Sequence, residues 1–225
     1  MDFGKAFSFP FQDSDWLKKV GIAGLVFLIP VVGQIIVMGW ALEITRRVIN
    51  DSPDPLPDWS DFGGYLSKGF MSFVVSFAYT IPVLLLSGCM QVTNVGGSLL
   101  AANVDSNLLS GVISVTTICL SCLVSLISIA ISFILPAAIA RLADTGELSA
   151  AFKFNEVIAL VRAAPAPYLL VMLGALLSGI AASFGLIACF IGVIFTMAYA
   201  ITINSHLSGQ AYKIAKAGKL STTSM

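Results

Sequence analysis

Two stretches of this chain, Gly111 to Ala140 and Tyr168 to Ile203, each run for thirty residues or more without one Asp, Glu, Lys or Arg. Backbone that crosses hydrocarbon has to satisfy its own N–H and C=O groups, which leaves helices or a closed barrel. Barrel strands alternate apolar and polar residues over short segments, and these runs do not alternate. The sequence therefore predicts an all-α, polytopic transmembrane helical bundle. Composition agrees: 57% of the residues are hydrophobic, 11% are charged and the mean hydropathy is +0.94, whereas a soluble domain carries roughly 25% charge. A water-soluble globular domain is excluded.

Lys and Arg set the topology, because cytoplasmic loops are enriched in them. Met90 to Ser110 contains neither, which makes it extracytoplasmic and places Arg46, Arg47 and Lys68 inside. A single span through Val20 to Leu42 would strand Lys5, Lys18 and Lys19 outside. The conflict disappears if the chain reverses at Pro30-Val31-Val32-Gly33, since proline disfavours helix in the preceding residue and glycine tolerates a tight turn. The first helix is then expected from Asp13, as N-cap, to Ile29, and the second from Gly33 to Asn50. Tyr65 to Met90, containing Pro82, and Leu108 to Leu142, containing Pro136, supply two more. Tyr168 to His206 is too long for one span and folds back near Gly185 to Gly192. The expectation is about six membrane segments in helical hairpins, with both termini cytoplasmic and Asp105 the one charge left outside.

The two terminal hairpins resemble each other. Gly21-Ile22-Ala23-Gly24 matches Gly179-Ile180-Ala181-Ala182, Leu28-Ile29 matches Leu186-Ile187, and Gly33, Met38, Trp40 and Ala41 align with Gly192, Met197, Tyr199 and Ala200. Each hairpin follows an aromatic and charged stretch, at Phe9 to Lys19, Asp58 to Lys68 and Phe152 to Arg162. These read as short amphipathic segments in the membrane interface, where aromatic rings anchor and Lys and Arg snorkel. One membrane domain over 1–225 results, with pseudo-repeats 1–50, 51–145 and 146–217. The acidic region near Met1 and the lack of a small-x-small cleavage site argue against a signal peptide.

The Asp13 to Gly24 stretch, the Leu28 to Gly33 turn, Pro55 to Gly63 and the closing His206-Leu-Ser-Gly-Gln-Ala-Tyr together resemble a family of prokaryotic membrane proteins catalogued as domain of unknown function 4013. The resemblance covers nearly the whole chain. It implies a prokaryotic membrane location, and it carries no activity and no catalytic or binding residues with it.

Candidate chemistry is sparse. Ser114, Ser121, Ser125, Ser128 and Ser132 fall on one face of the fourth helix, either as a polar seam along a solute path or, the preferred reading, as small residues that let helices pack closely. Gly174 and Ser178 form a small-xxx-small pair of the same kind. Cys119 and Cys122 have CxxC spacing but lie in an apolar helix, where packing is favoured over redox chemistry; Cys89 and Cys189 could meet as a disulfide. Glu43 is expected to pair with Arg46 and Arg47, at i+3 and i+4. His206 is the sole histidine, too few for a metal site or a triad. The aspartates and prolines of Asp51 to Asp61 read as a stiff connector rather than a calcium loop.

No cofactor or metal is called for, and twelve basic residues balanced by twelve acidic ones suggest no nucleic-acid partner. The partners expected are the lipid bilayer and other membrane subunits. The leading expectation is a non-enzymatic accessory, scaffolding or assembly subunit of a larger complex in the plasma membrane. The alternative is a permease or channel for a small or lipid-like solute, with helices broken at Pro30, Pro82 and Pro136. An enzyme is disfavoured because paired titratable groups for acid-base work are missing.

Overall fold

A computed structural model describes residues 1–101, 107–185 and 189–223. In order these form α1 (Phe3–Ser8), a 3-10 turn (Phe9–Gln12), α2 (Trp16–Phe27), α3 (Val32–Ile49), α4 (Phe62–Ala101), α5 (Asn107–Thr145), α6 (Leu148–Ala151), α7 (Phe154–Ala163), α8 (Pro165–Phe184) and α9 (Cys189–Thr223), with no strand among the described residues. They divide into two compact units. The first comprises Met1–Ser76 with Phe133–Met225, the second Phe77–Ser132.

In the first unit the expected break at Pro30 is present. Helix α2 stops at Phe27 and α3 begins at Val32, and the reversal passes through Val31 at φ 64°. Glycine serves the turn differently from expectation. Gly33 is already helical, and its lack of a side chain lets it sit against the Val26 carbonyl and Ile29, where a Cβ would collide with both. The two helices then run back along each other, so that Val20 and Ala23 of α2 join Trp40 and Ile44 of α3 in one buried cluster.

Helices α8 and α9 also pack along each other. Gly185, which follows α8, presses on the Gly192 carbonyl and the Thr196 hydroxyl of α9, and that hydroxyl donates to Gly192 O at 2.8 Å. Leu186 and Ile187, aligned with Leu28 and Ile29 on sequence, lie outside the described residues.

Helix α9 is the axis of the first unit, packed by α1, α2, α3, α7 and α8. Small residues make these crossings close. Gly24 of α2 meets Ile194; Gly209 meets Val48 and the Thr45 carbonyl of α3; Gly174 of α8 meets Leu207. Helices α3 and α4 cross glycine on glycine: a Cβ on Gly39 would enter the Tyr65 carbonyl, and one on Gly69 the Ile35 carbonyl.

In the second unit, the remainders of α4 and α5 pair through Gly97 against Ile113, the Thr117 hydroxyl donating to Asn94 Oδ1 at 2.7 Å, and Ser121 against the Met90 sulfur at 3.4 Å. Their other faces carry exposed Leu85, Val92, Val95, Val115, Ile118 and Leu126.

Among the described residues, three helices, in α4, α5 and α8, are long and apolar enough to cross a membrane. The expected count of about six is not reached on that criterion. At about 1.5 Å per residue the 12-residue α2 is about 18 Å long, short of a hydrocarbon core of about 30 Å. Asp105 lies outside the described residues.

Asp13 does not cap α2, whose N-cap is Asp15 without a side-chain bond. Its carboxylate accepts instead from Asp15 N at 2.9 Å and from Lys19 Nζ at 2.8 Å. Of the three expected interfacial stretches, Phe152 to Arg162 contains a separate helix, α7, which buries Val157 and Leu160. Trp16 to Lys19 belongs to α2, and Phe62 to Lys68 to α4.

Candidate functional site

The charged residues of the first unit gather where the loops meet. The Asp51 to Asp61 connector is tied down along its length. Leu56 is fully buried, Trp40 Nε1 donates to Pro57 O at 3.0 Å, and Trp59 Nε1 donates to Lys19 O at 2.8 Å. Trp40 and Trp59 stack with ring centroids 5.2 Å apart. Arg47 donates to the Asp54 and Leu56 carbonyls, and Lys19 reaches Leu56 O, Asp13 and Asp58. Partial burial raises the Asp13 carboxyl, but the Lys19 ammonium bound to it overcomes this and holds it below the usual carboxylate value. Proline-rich sequence signalled the stiffness of this connector; the tryptophan hydrogen bonds that seat it are long-range and left no local mark.

Glu43 is the centre of a second cluster. Its expected partners Arg46 and Arg47 lie 3.8 and 3.9 Å away, and the shortest contact, at 2.7 Å, is with Lys68 from α4. The Glu43 carboxylate is only 16% exposed, so removing its charge leaves cations from two helices facing one another. Glu43→Gln is expected to cost about 1–2 kcal/mol, read as a lower thermal midpoint in detergent, with Glu43→Asp recovering part of it. An unchanged midpoint would show the cluster to be surface decoration.

A third cluster joins α5, α7 and α9. Arg141 pairs with Glu156, while Asp144 accepts from the Tyr212 hydroxyl at 2.9 Å and from Lys216 at 2.6 Å. The Arg141 hydrogen bond holds the Glu156 carboxyl below its ordinary value. Burial, reinforced by the Asp144 bond, pushes the Tyr212 phenol up.

Along the serine seam, Ser114, Ser125 and Ser128 are exposed, and Ser121 meets the Met90 sulfur of α4. The hydroxyls of Ser114, Ser121, Ser125, Ser128 and Ser132 all donate to carbonyls three or four residues back in their own helix, at 2.6–2.9 Å. Gly174 and Ser178 lie at the α8–α9 contact: Gly174 admits Leu207, and buried Ser178 accepts from Asn204 Nδ2 at 3.0 Å. Cys89, Cys119 and Cys122 are free thiols on exposed positions, and the side chain of Cys189 lies outside the described residues. No group of His, Cys, Asp and Glu among the described residues is arranged to hold a metal ion.

One cavity of about 410 Å³ opens between α1, the 3-10 turn, the end of α3, the connector and α9. His206 lines it, 4% exposed, with its ring on that of Phe9 at a centroid distance of 4.2 Å. Sequence reading set this histidine aside as solitary, and nothing local shows that the N-terminal segment folds back over it.

These features define a class: an all-helical chain with long apolar helices and a charged, loop-clamped end. The chain belongs to the family described as protein of unknown function DUF4013, whose model matches residues 22–206. No curated protein and no solved structure matches it.

Proposed function

We propose that the chain is a non-enzymatic, multi-pass protein of the plasma membrane that serves as an accessory, scaffolding or assembly subunit of a larger membrane complex. In this reading α2 with α3, α4 with α5, and α8 with α9 form three hairpins and six membrane segments, the first hairpin shallow because α2 is short. The charged loops and both termini then lie on the cytoplasmic side, as the distribution of Lys and Arg requires.

The observation that carries the reading is the state of the serine seam. Its hydroxyls are directed into their own helix, which leaves small, neutral surfaces suited to close helix packing. Of the three breaks on which the permease reading drew, the one at Pro30 is present, whereas α4 and α5 continue through Pro82 and Pro136. Extraction in a mild detergent followed by native mass spectrometry tests the proposal. The expected result is a stoichiometric complex with another membrane subunit; a lone monomer in every mild detergent overturns it.

A further inference from the structure

Helix α7 has two working faces. Val157 and Leu160 are buried as it packs on α8 and α9. Asn155, Ile158, Ala159 and Arg162 follow the i, i+3, i+4, i+7 spacing of another stripe, and with Ala163 and Lys219 of α9 they line a cavity of about 530 Å³. The stripe stops at Arg162 because Ala164 precedes Pro165. A residue before proline is pushed out of helical backbone; Ala164 leaves it at φ −144°, and α8 starts afresh. Arg162 is thereby held on the last turn of α7, just before an apolar helix long enough to cross a membrane. We propose that this cavity binds the phosphate of an anionic phospholipid, with Arg162 as its principal contact.

Charge selects an anion. Arg162 and Lys219 bring two cations to the lining, and no carboxylate is among the described residues that form it. The carboxylate of α7, Glu156, is taken by Arg141 and lies 3.9 Å from Lys153, and Asp144 of α5 is taken by Tyr212 and Lys216. Over Gly146 to Thr223 the acidic side chains are Glu147, on the loop before α6, and Glu156, against Lys153, Arg162, Lys213, Lys216 and Lys219. The Arg162 guanidinium and the Asn155 side chain have no hydrogen-bond or ion-pair partner among the described residues, so both keep donors for a ligand. The guanidinium fork matches two oxygens of one phosphate.

Position selects a lipid. The cavity stands at the foot of α8, where a spanning helix passes from hydrocarbon to headgroups, the depth at which basic pockets take anionic lipid headgroups. Helix α8 goes on to expose Leu169, Leu173 and Leu176, a run at helical spacing along which acyl chains can lie. Ile158 and Ala163 give the cavity an apolar wall. The inference rests on α8 crossing the membrane and not on the subunit role.

The test uses the full-length protein in a mild detergent, titrated with phosphatidylglycerol or phosphatidylcholine of identical acyl chains and read by native mass spectrometry. The expected result is saturable retention of phosphatidylglycerol in preference to phosphatidylcholine. Retention is weakened about tenfold in Arg162→Gln, as loss of a charge-assisted hydrogen bond implies, and partly restored in Arg162→Lys. Arg162 is exposed, so Arg162→Gln keeps the wild-type thermal midpoint; Lys219→Gln weakens retention through a second, independent residue. Lys18→Gln removes an exposed cation of α2 outside the cavity and leaves retention unchanged. Equal losses in Lys18→Gln and Arg162→Gln would reveal a diffuse attraction, and equal retention of the two lipids would reveal no headgroup recognition. Displacement of the lipid by millimolar inorganic phosphate would make a soluble phosphate the ligand. Each of these three outcomes overturns the proposal, whereas the oligomeric state in the same spectra bears on the subunit role alone.

Discussion

Trp40→Ala is expected to lower stability by about 3–5 kcal/mol, the range for emptying a large buried aromatic site. The indole is fully buried, shares a cluster with Val20, Ala23 and Ile44, stacks on Trp59 and donates to the Pro57 carbonyl. Truncation therefore opens a cavity between α2 and α3 and frees the connector at the same time. Two controls separate these effects. Trp40→Phe keeps most of the packing and loses the hydrogen bond, for about 1 kcal/mol. Trp59→Ala removes the stacking partner and the bond to Lys19 O. If the connector is seated by the tryptophan pair, Trp40→Ala and Trp59→Ala together cost less than their sum, because each already loosens what the other holds. Thermal midpoints and limited proteolysis at Asp51 to Asp61 read both quantities. A Trp40→Ala protein with the wild-type midpoint and an uncut connector would mean that this indole is not where its burial places it.

The fold was legible wherever local chemistry decides it. Uninterrupted apolarity announced helices, and the lysines at Lys5, Lys18 and Lys19 forced a reversal at Pro30, where α2 and α3 do separate. Gly33 and Gly192, aligned on sequence, each lie in a close approach: Gly33 sits against the Val26 carbonyl, and the Gly192 carbonyl lies under Gly185. Other features were not legible, because the partner a side chain takes is not the one its local pattern suggests. Asp13 looked like a helix cap because it precedes an apolar run, but Lys19 and the Asp15 amide compete for its carboxylate. Glu43 has arginines at helical spacing, yet its shortest bond goes to Lys68, twenty-five residues on. His206 was judged by its isolation in sequence, whereas what matters is the N-terminal segment that covers it. Periodicity and composition thus revealed the elements, while the polar clusters arise from crossings that only tertiary packing creates.

The crossing of α3 and α4 makes the sharpest demand on residue type. Because Gly39 and Gly69 lie backbone to backbone, Gly39→Ala places a methyl in the Tyr65 carbonyl and Gly69→Ala places one in the Ile35 carbonyl. Neither obstacle is a flexible side chain, so the helices have to separate. Separation loosens Tyr65, which donates to the Asp58 carbonyl at 2.5 Å, and lengthens the Lys68–Glu43 bond now at 2.7 Å. Each single variant is expected to cost about 2–3 kcal/mol, at the upper end of the overpacking range. Gly39→Ala and Gly69→Ala combined should cost little more than either alone, since one separation relieves both clashes. Gly88 and Gly96 of α4 provide the comparison: a Cβ there meets nothing within 4 Å, and alanine at such helical positions is neutral or stabilising, by up to about 1 kcal/mol. Thermal midpoints of the four single variants, measured in one detergent, would rank the crossing glycines far below the open ones. Equal midpoints across the four would remove the close approach of α3 and α4, and with it the physical basis for a Glu43 cluster that spans both helices.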